Sequence, residues 1–525
     1  MRENLPQDRG YPARVTSYTL RNASPAKTRT DAVVVGLLST KDGPVLAPGA
    51  EDVARAYGRS LRPLLASLGA KGKLGEVTRA PTSGKIKSPL LVFLGLGSPD
   101  FSAAVLRRAS GASARALPNS ASVSLALPAT TPDQVRAVTE GWLLGSYRFT
   151  TYKHDTATES EAPASVSVLS TGARRADLVA AFQRAQTVAA AVAKARDWVN
   201  EPPGQLTPPV FADAVAEEVR RHRRGRGKPK VTCTVHDEKA LAELGCGGLL
   251  AVGAGSAAPP RLVELRYEPK HAVAHLALVG KGITYDSGGL TIKPGSSMAT
   301  MKYDMSGAAA VVQAILTIGE LGLPVRVSAF APMAENMISG AATRPGDVIT
   351  MYGGRTVEIT NTDAEGRLIL ADALVRAVEQ KPDVIVDVAT LTGAMILALG
   401  DKVAGVMGTD QVVDDVLSAG AVAGEPSWPM PIPEEMAERV TSSKIADLLQ
   451  HDWVRWGGGL YAGAFLREFV AETPWAHIDI AGPAYNTGGA SGHLTSGGTG
   501  FAVATLVDLA QAYADRAAAR AGEAG

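Results

Sequence analysis

The chain has 525 residues, which corresponds to roughly three average domains and predicts at least two. With 46% hydrophobic and 20% charged residues, its composition excludes intrinsic disorder and a disulfide-stapled miniprotein. The 53 Lys and Arg nearly balance the 52 Asp and Glu, and the net charge of +1 gives no general attraction to nucleic acid or to an anionic membrane.

The first half of the chain alternates apolar runs with helical patterns, which predicts a mostly parallel sheet. The polar first thirty residues are expected to be frayed. Apolar runs predict strands at residues 33–38, 90–96, 123–127 and 166–169, and helical spacing predicts helices at 53–68, 103–116 and 132–144. We therefore expect a smaller amino-terminal α/β domain over residues 30–180.

A long Ala-rich pattern over residues 177–199 predicts a helix that stops at Asn200-Glu201-Pro202-Pro203-Gly204. We interpret this helix as the linker between two domains. Residues 220–230 then contain seven Arg and Lys. No aromatic residue is interleaved to stack bases, so this run is more typical of a solvated helix end than of a nucleic-acid patch.

The two cysteines, Cys233 and Cys246, are spaced unlike a C-x-x-C pair or a zinc ribbon, and we interpret them as buried thiols of a reduced cytosolic protein. Residues 1–6 are not followed by an apolar core, so no signal peptide is expected. The uncharged stretch 244–260 is interrupted by Gly, Ser and Pro, which argues against a membrane helix. These features predict a cytoplasmic protein.

The second half alternates again and predicts a larger α/β domain over residues 198–520. Its predicted strands are 275–279, 325–330, 384–388 and 475–480, and its predicted helices are 305–316, 367–378, 462–470 and 500–513. Sites in open α/β sheets gather at the carboxyl ends of strands. The candidate site residues are therefore the charged residues that follow these strands or precede these helices, namely Lys281, Asp286, Lys293, Asp304, Asp363, Glu365 and Arg367.

Taken singly, each of these residues has an ordinary explanation as a turn residue, a solvated lysine, a helix N-cap or an acidic first turn. The glycine-rich segment after residue 279 lacks the Walker and dinucleotide-binding patterns. Asp363 and Glu365 are two residues apart, as are Glu365 and Arg367, so an extended backbone would turn their side chains to one side.

As a set, the four carboxylates predict a metal site if they converge. Close carboxylates raise one another's pKa, and two divalent cations would compensate their charge. Oxygen ligands suit Mn, Mg or Zn, and a neutral Lys281 amine would add a nitrogen ligand. The chain has no H-E-x-x-H motif, which excludes zincin chemistry, and His477 is expected to be a core histidine rather than a ligand.

The eight-residue run from Asn361 to Leu368 resembles the signature of the leucyl aminopeptidase (cytosol aminopeptidase) family of dinuclear metallopeptidases. The segments around Lys281, Lys293 and Met301-Lys302-Tyr303-Asp304-Met305 are also similar to that family. So are the spacings of five residues from Lys281 to Asp286 and eighteen from Asp286 to Asp304. The resemblance is close over residues 198–515 and loose before them. It implies a catalytic domain with a mixed central sheet flanked by helices.

The resemblance also implies two divalent metal ions per subunit, Mn or Zn. Asp286 and Glu365 would bridge them, Lys281 and Asp304 would complete one, and Asp363 would complete the other, partly through its backbone carbonyl.

The catalytic residues that the resemblance implies are Lys293 and Arg367, with a bicarbonate at Arg367 as the general base. Met301, Thr390 and Leu391 would line the pocket for the first side chain of the substrate. The expected activity is removal of unsubstituted amino-terminal residues, leucine and other apolar ones, from peptides in intracellular turnover. The family further implies a homohexamer, a dimer of trimers.

Some features depart from the family pattern or leave alternatives open. Ser306 stands where relatives often have glycine or cysteine, and residues 450–459 differ from the usual segment, which affects the substrate pocket. The basic run 220–230 leaves a DNA-binding scaffold as a second hypothesis, which the net charge of +1 opposes. A catalytically dead assembly is a third, opposed by the intact Lys293 and Arg367.

Overall fold

A computed structural model describes residues 16–117, 120–153, 162–223 and 231–523 of the chain. The chain divides into two compact units. The first comprises the residues up to Ala189 together with Ala490–Thr495, and the second comprises Ala190–Gly489 with Ser496–Gly525. The basic residues 224–230 lie outside the described residues. Arg220 and Arg221 form ion pairs with Glu217, about one turn earlier in the same helix.

The first unit is built on one sheet. Its strands are β1 (Ser17–Arg21), β2 (Ala32–Thr40), β3 (Gly43–Leu46), β4 (Val77–Pro81), β5 (Leu90–Gly97), β6 (Ser122–Ala126) and β7 (Ser165–Leu169). Its helices are α1 (Glu51–Tyr57), α2 (Leu61–Ser67), α3 (Ala103–Arg115) and α4 (Pro132–Gly145). The order is β1-β7-β6-β2-β5-β4, with β3 beside β2.

This sheet confirms the prediction of mostly parallel strands, because β1, β7, β6, β2 and β5 pair in parallel and only β3 and β4 are antiparallel. Strand β2 is buried on both faces, since Val34 and Val33 belong to two different apolar clusters. The expectation of a frayed amino terminus is wrong for β1, whose Leu20 lies opposite Val168 of β7. The expected helix 53–68 is divided into two at Gly58, whose φ is 50°.

The helices of the second half are α5 (Ala176–Asn200), which spans the boundary between the units, then α6 (Pro208–Arg223), α7 (Glu238–Leu244), α8 (Gly247–Gly253), α9 (Gly295–Met298), α10 (Ser306–Leu321), α11 (Gly366–Val378), α12 (Gly393–Leu399), α13 (Asp410–Ala423), α14 (Glu434–Val440), α15 (Gly458–Arg467) and α16 (Val503–Glu523). The strands are β8 (Thr232–His236), β9 (Arg261–Tyr267), β10 (His275–Gly280), β11 (Gly282–Asp286), β12 (Arg326–Asn336), β13 (Val348–Thr350), β14 (Thr356–Glu358), β15 (Val384–Ala389), β16 (Ala404–Gly408), β17 (Ser427–Pro429), β18 (Leu448–Leu449), β19 (Trp475–Asp479), β20 (Tyr485–Asn486) and β21 (Gly497–Gly498).

The central sheet of the second unit is mixed, as expected. Within the described residues it has the order β17-β16-β19-β15-β10-β12-β9-β8, with β11 beside β12. Helix α11 packs on one face, where its Leu368 and Leu374 share a core with Val279 of β10 and Ile385 of β15. No helix among the described residues is long and apolar enough to cross a membrane.

The topology determines where polar side chains collect. Strands β12, β10, β15 and β19 are successive parallel neighbours, so their carboxyl ends meet at one edge of the sheet. Lys281 follows β10, Asn336 ends β12, Thr390 follows β15 and Asp479 ends β19. This edge is where an open α/β sheet offers a binding site.

Candidate active site

Lys281 lies at the centre of this edge. Its Nζ is 2.9 Å from Asp304 Oδ1 and 2.8 Å from Glu365 Oε1, and it donates to the carbonyl oxygen of Thr390 at 2.9 Å. The side chain is buried, and the main chain is fixed by a hydrogen bond from Lys281 N to Val388 O. The three acceptors come from distant parts of the sequence, so they determine the position of the ammonium group.

A second lysine joins the other two carboxylates. The Nζ of Lys293 is 2.8 Å from Asp286 Oδ2 and 2.5 Å from Asp363 Oδ1. Asn336 Nδ2 donates to Asp286 Oδ1 at 2.8 Å and to the carbonyl oxygen of Thr362 at 3.0 Å. Asn336 therefore connects the segment that carries Asp286 to the segment that carries Asp363.

Asp304 does not act as a helix cap, although its position before α10 would allow it. Its Oδ1 accepts from Thr390 Oγ1 at 2.8 Å and lies beside Lys281, while Met305 is the N-cap residue of α10. Its buried Oδ2 has no hydrogen-bond partner among the described residues. A buried carboxylate oxygen without a donor is costly, and a cation would relieve that cost.

The segment 361–365 differs from the extended backbone that the sequence suggested. Thr362 and Asp363 form a turn, and Glu365 has φ −72° and ψ −35°, just before α11 begins at Gly366. The expectation that an extended backbone turns Asp363 and Glu365 to one side is therefore wrong. Their convergence comes from the turn, and carboxylate oxygens of Asp286, Asp363 and Glu365 lie within 4.8 Å of one another.

Arg367 is buried in the first turn of α11, beside the carboxylates. Its Nη1 donates to the backbone oxygen of Gln450 at 2.9 Å, and its guanidinium lies 5.7 Å from the centre of the Tyr461 ring. Its Nε has no hydrogen-bond partner among the described residues. The guanidinium is therefore held by two neighbours and keeps a donor for a further acceptor.

Burial and mutual repulsion perturb the pKa values of the carboxyl groups. Burial, followed by the charges of neighbouring carboxylates, raises the pKa of Asp286 and raises that of Asp363 to about 7. Burial also raises the pKa of Asp304, although the Lys281 charge opposes it. Glu365 differs, because Lys281 and Lys293 outweigh its burial and lower its pKa. The site therefore contains more negative charge than its two lysines balance.

The lysines respond in the opposite direction. Burial alone would lower the pKa of Lys281, but the charges of Asp304, Glu365 and Asp286 outweigh it and raise the pKa. The pKa of Lys293 is raised for the same reason, chiefly by Asp286. The carboxylates alone therefore favour the charged form of Lys281, not the neutral amine that was expected beside cations.

The expected pocket residues lie on two segments. Met301 begins the short 3₁₀ turn Met301–Tyr303 that leads into Asp304. Thr390 and Leu391 follow β15, and Asp479 fixes that segment, because its Oδ1 accepts from Leu391 N at 3.2 Å and its Oδ2 from Thr392 Oγ1 at 2.7 Å. His477 lies in the core, with Nδ1 2.6 Å from Asp387 Oδ1.

Sequence reasoning missed three polar residues that support the site, namely Asn336, Gln450 and Asp479. All three are buried, and each bonds to a segment far away in the sequence. The available signal is that Asn336 and Asp479 end strands whose neighbours also lead into the site. Gln450 follows a strand of only two residues, Leu448–Leu449, which no periodicity reveals.

The donor set fits divalent cations. It offers carboxylate oxygens, including the unpartnered Oδ2 of Asp304, in a region with excess negative charge. The Lys281 nitrogen would become a further ligand once the charge of bound cations displaces its proton. Together with their position at the strand ends of a mixed sheet, these residues define a candidate divalent-metal site of an α/β protein.

Comparison with known proteins gives the family. The sequence model of the cytosol aminopeptidase family, catalytic domain, matches residues 193–507, and that of the family's N-terminal domain matches residues 34–156. The chain belongs to the cytosol aminopeptidase family, and it is accordingly a metal-dependent aminopeptidase that takes peptides as substrates.

Relatives match along nearly their whole length. The probable cytosol aminopeptidases of Streptomyces griseus and Streptomyces avermitilis are each 48% identical to this chain, and each match covers 95% of this chain and 98% of the relative. A solved structure of the bottromycin maturation enzyme BotP in complex with Mn is 38% identical. It has a TM-score of 0.80 and covers 92% of this chain and 100% of that one.

Proposed function

We propose that this aminopeptidase removes unsubstituted amino-terminal residues, preferentially leucine and other apolar residues, by means of water activated between two divalent cations. The observation that carries the proposal is the convergence of four buried or half-buried carboxylates on two lysines at the strand ends. In that arrangement Lys281 contacts Asp304 and Glu365, and Lys293 contacts Asp286 and Asp363.

The metal-binding roles that we propose are those that the resemblance to the family implies. Asp286 and Glu365 would be shared by two cations, Lys281 and Asp304 would complete one, and Asp363 would complete the other. When bound, two divalent cations lower the pKa of a water and polarise a peptide carbonyl. Mn and Zn are the candidates, and the Mn in the BotP complex favours Mn for a chain this similar.

Lys293 and Arg367 are the proposed catalytic residues. The ammonium group of Lys293, held between Asp286 and Asp363, would donate a hydrogen bond to the carbonyl oxygen as negative charge develops on it. Arg367 keeps its Nε available among the described residues and would hold a bicarbonate that accepts the proton of the attacking water.

The substrate's first side chain would enter between Met301 and the segment Thr390–Leu391. Thr390 donates a hydrogen bond to Asp304 through Oγ1 and accepts one from Lys281 at its carbonyl oxygen, so hydrogen bonds connect the pocket to the proposed metal ligands. Leu391 and Met301 are partly buried and supply apolar surface, which supports a preference for apolar residues.

The assembly, cellular location and domain limits belong to the same proposal. We expect a homohexamer, a dimer of trimers, which acts in the cytoplasm in peptide turnover. The amino-terminal domain would span residues 30–180 and the catalytic domain residues 198–520, with the helix 177–199 as linker. The family matches over residues 34–156 and 193–507 support these limits. Sedimentation of the purified chain would test the hexamer.

Hydrolysis of leucine p-nitroanilide tests the proposed activity. Metal-stripped protein would be compared with protein given Mn, Zn or Mg, alongside Glu365→Gln and the control Glu264→Gln, a buried glutamate paired with Arg376 away from the site. We expect metal-restored activity in the wild type and the control but not in Glu365→Gln. Activity that survives stripping, or that Glu365→Gln retains, would refute the two-metal proposal.

A further inference from the structure

Gln450 is a fully buried polar residue beside the segment that carries Asp363 and Glu365. It follows β18, which pairs with β14, and its backbone N donates to Glu358 O at 3.0 Å. That pairing fixes its main chain on the strand that leads into residues 359–365. Its side chain therefore extends along that segment rather than into solvent.

The amide of Gln450 contacts both sides of the turn. Its Oε1 accepts from Thr360 N at 3.2 Å and from Asn361 N at 3.1 Å, before the turn. Its Nε2 donates to Ala364 O at 3.0 Å, after the turn and between the two carboxylate residues. One rigid amide group thus determines the distance between the two arms of the turn.

The backbone of Gln450 fixes a third element of the site. Its carbonyl oxygen accepts from Arg367 Nη1 at 2.9 Å, so the residue that holds the turn also orients the guanidinium. All four polar atoms of Gln450 have a hydrogen-bond partner within residues 358–367.

The other supports of the turn come from within it and from residues around Thr362. Asp363 N donates to Asn361 Oδ1 at 2.9 Å, and Ala364 N donates to Asn361 O at 3.1 Å. Thr362 bonds to Gly288 O and to Thr291, and Asn336 reaches the carbonyl oxygen of Thr362. These contacts hold the turn at Thr362, before both carboxylate residues. Among the described residues, the bond from Gln450 Nε2 to Ala364 O is the hydrogen bond that a distant side chain makes to the backbone between Asp363 and Glu365.

We propose that Gln450 is a positioning residue that sets the backbone of the Asp363–Glu365 turn and the orientation of Arg367, and so sets metal affinity and turnover. The proposal rests on the function proposed above, because it assigns Asp363 and Glu365 to metal binding. Removing a residue that orients metal ligands through hydrogen bonds, without binding the metal itself, typically reduces metal affinity or activity by about 10–100-fold.

Gln450→Met tests this role, because methionine nearly matches the volume of glutamine and removes only the side-chain hydrogen bonds. The matched control is Gln313→Met, at a buried glutamine in the middle of α10. We would measure Mn²⁺ binding to each full-length protein by calorimetry, the Tm with and without Mn²⁺, and kcat and KM for leucine p-nitroanilide.

We expect Gln450→Met to raise the Kd for Mn²⁺ by about 10–100-fold, to reduce the rise in Tm that Mn²⁺ produces and to lower kcat more than it changes KM. Gln313→Met should keep the wild-type Kd. If Gln450→Met does not fold, Gln450→Asn replaces it. Its amide is one methylene shorter and cannot reach both arms of the turn, so the Kd should again rise.

A lower Tm of the metal-free variant with an unchanged Kd and kcat would overturn the proposal, because it would show a structural role alone. A wild-type protein that binds Mn²⁺ but releases no p-nitroaniline would instead count against the proposed activity. The calorimetric comparison would still decide the role of Gln450 in that case.

Discussion

Gly366→Ala isolates the position of Lys281. A Cβ on Gly366 would lie 2.5 Å from Cε and 2.6 Å from Nζ of Lys281. Because carbon atoms pack at roughly 3.5–4.0 Å, the end of Lys281 would have to move by about 1 Å or more. That movement would lengthen the three contacts of Nζ with Asp304, Glu365 and Thr390.

The effect on stability should be small, because the crowded atoms are the end of a flexible side chain and alanine suits the first turn of a helix. Gly→Ala at a compatible position stabilises by about 0.4–1 kcal/mol. The effect on function should be large, since a misplacement of about 1 Å can reduce a rate by about 100-fold. We therefore expect a nearly unchanged Tm together with a kcat about 100-fold lower and weaker Mn²⁺ binding.

Gly393→Ala is the matched control, because Gly393 also begins a helix, α12, and an added Cβ there would have no atom within 4 Å. Thermal unfolding, calorimetry with Mn²⁺ and initial rates with leucine p-nitroanilide would be measured on both variants. Wild-type kcat and Mn²⁺ affinity in Gly366→Ala would show that the position of Lys281 does not matter, and the proposed ligand role would fail.

Three further changes probe other parts of the site. Asp479→Asn replaces one of the two oxygens that accept hydrogen bonds from Leu391 N and Thr392 Oγ1, so the segment Thr390–Thr392 should become more mobile. In steady-state kinetics, KM should rise by about 10-fold with a smaller loss of kcat. Lys293→Met should lower kcat by about 100-fold or more while binding of a substrate-like inhibitor persists; an unchanged kcat would remove Lys293 from the mechanism. Burial, followed by the charge of Arg367, lowers the pKa of His451 to about 4. Between about pH 6.5 and pH 4, the unfolded chain therefore binds a proton at this residue that the folded chain does not bind. The free energy of unfolding should fall as the pH drops through that range. His451→Gln should flatten this slope in a series of Tm measurements, and an equal slope in both proteins would contradict the assignment.

The sequence predicts the interior strands well because parallel strands covered on both faces are nearly continuous apolar runs. Strands β2, β5, β10 and β15 are of this kind and lie where the apolar runs predict them. It misses β1, β8 and β9, where polar and charged residues interrupt the apolar ones. Two of these, β1 and β8, lie at sheet edges, where one side of the strand needs no apolar cover.

At the site, too, local sequence patterns predict some features, while others depend on contacts between residues far apart in the sequence. Spacing and residue type identify carboxylates and lysines that the structure does bring together, because they stand at strand ends whose parallel neighbours the alternation predicts. The conformation of residues 361–365 was not predictable from spacing, because a turn rather than an extended backbone brings Asp363 and Glu365 together. That turn depends on Gln450, which is 85 residues or more away in the sequence.

Three segments of the site are each held in part by a buried polar side chain from elsewhere in the sequence. Asn336 holds the Asp286 segment, Gln450 holds the Asp363–Glu365 turn, and Asp479 holds the segment after β15. The Asp363–Glu365 turn and the segment after β15 lie outside the strands. Repulsion among the carboxylates favours their separation, so these segments need support from elsewhere. The three anchoring side chains therefore counter the electrostatic cost of bringing the carboxylates together, and substitutions at these anchors should affect metal binding before they affect the fold.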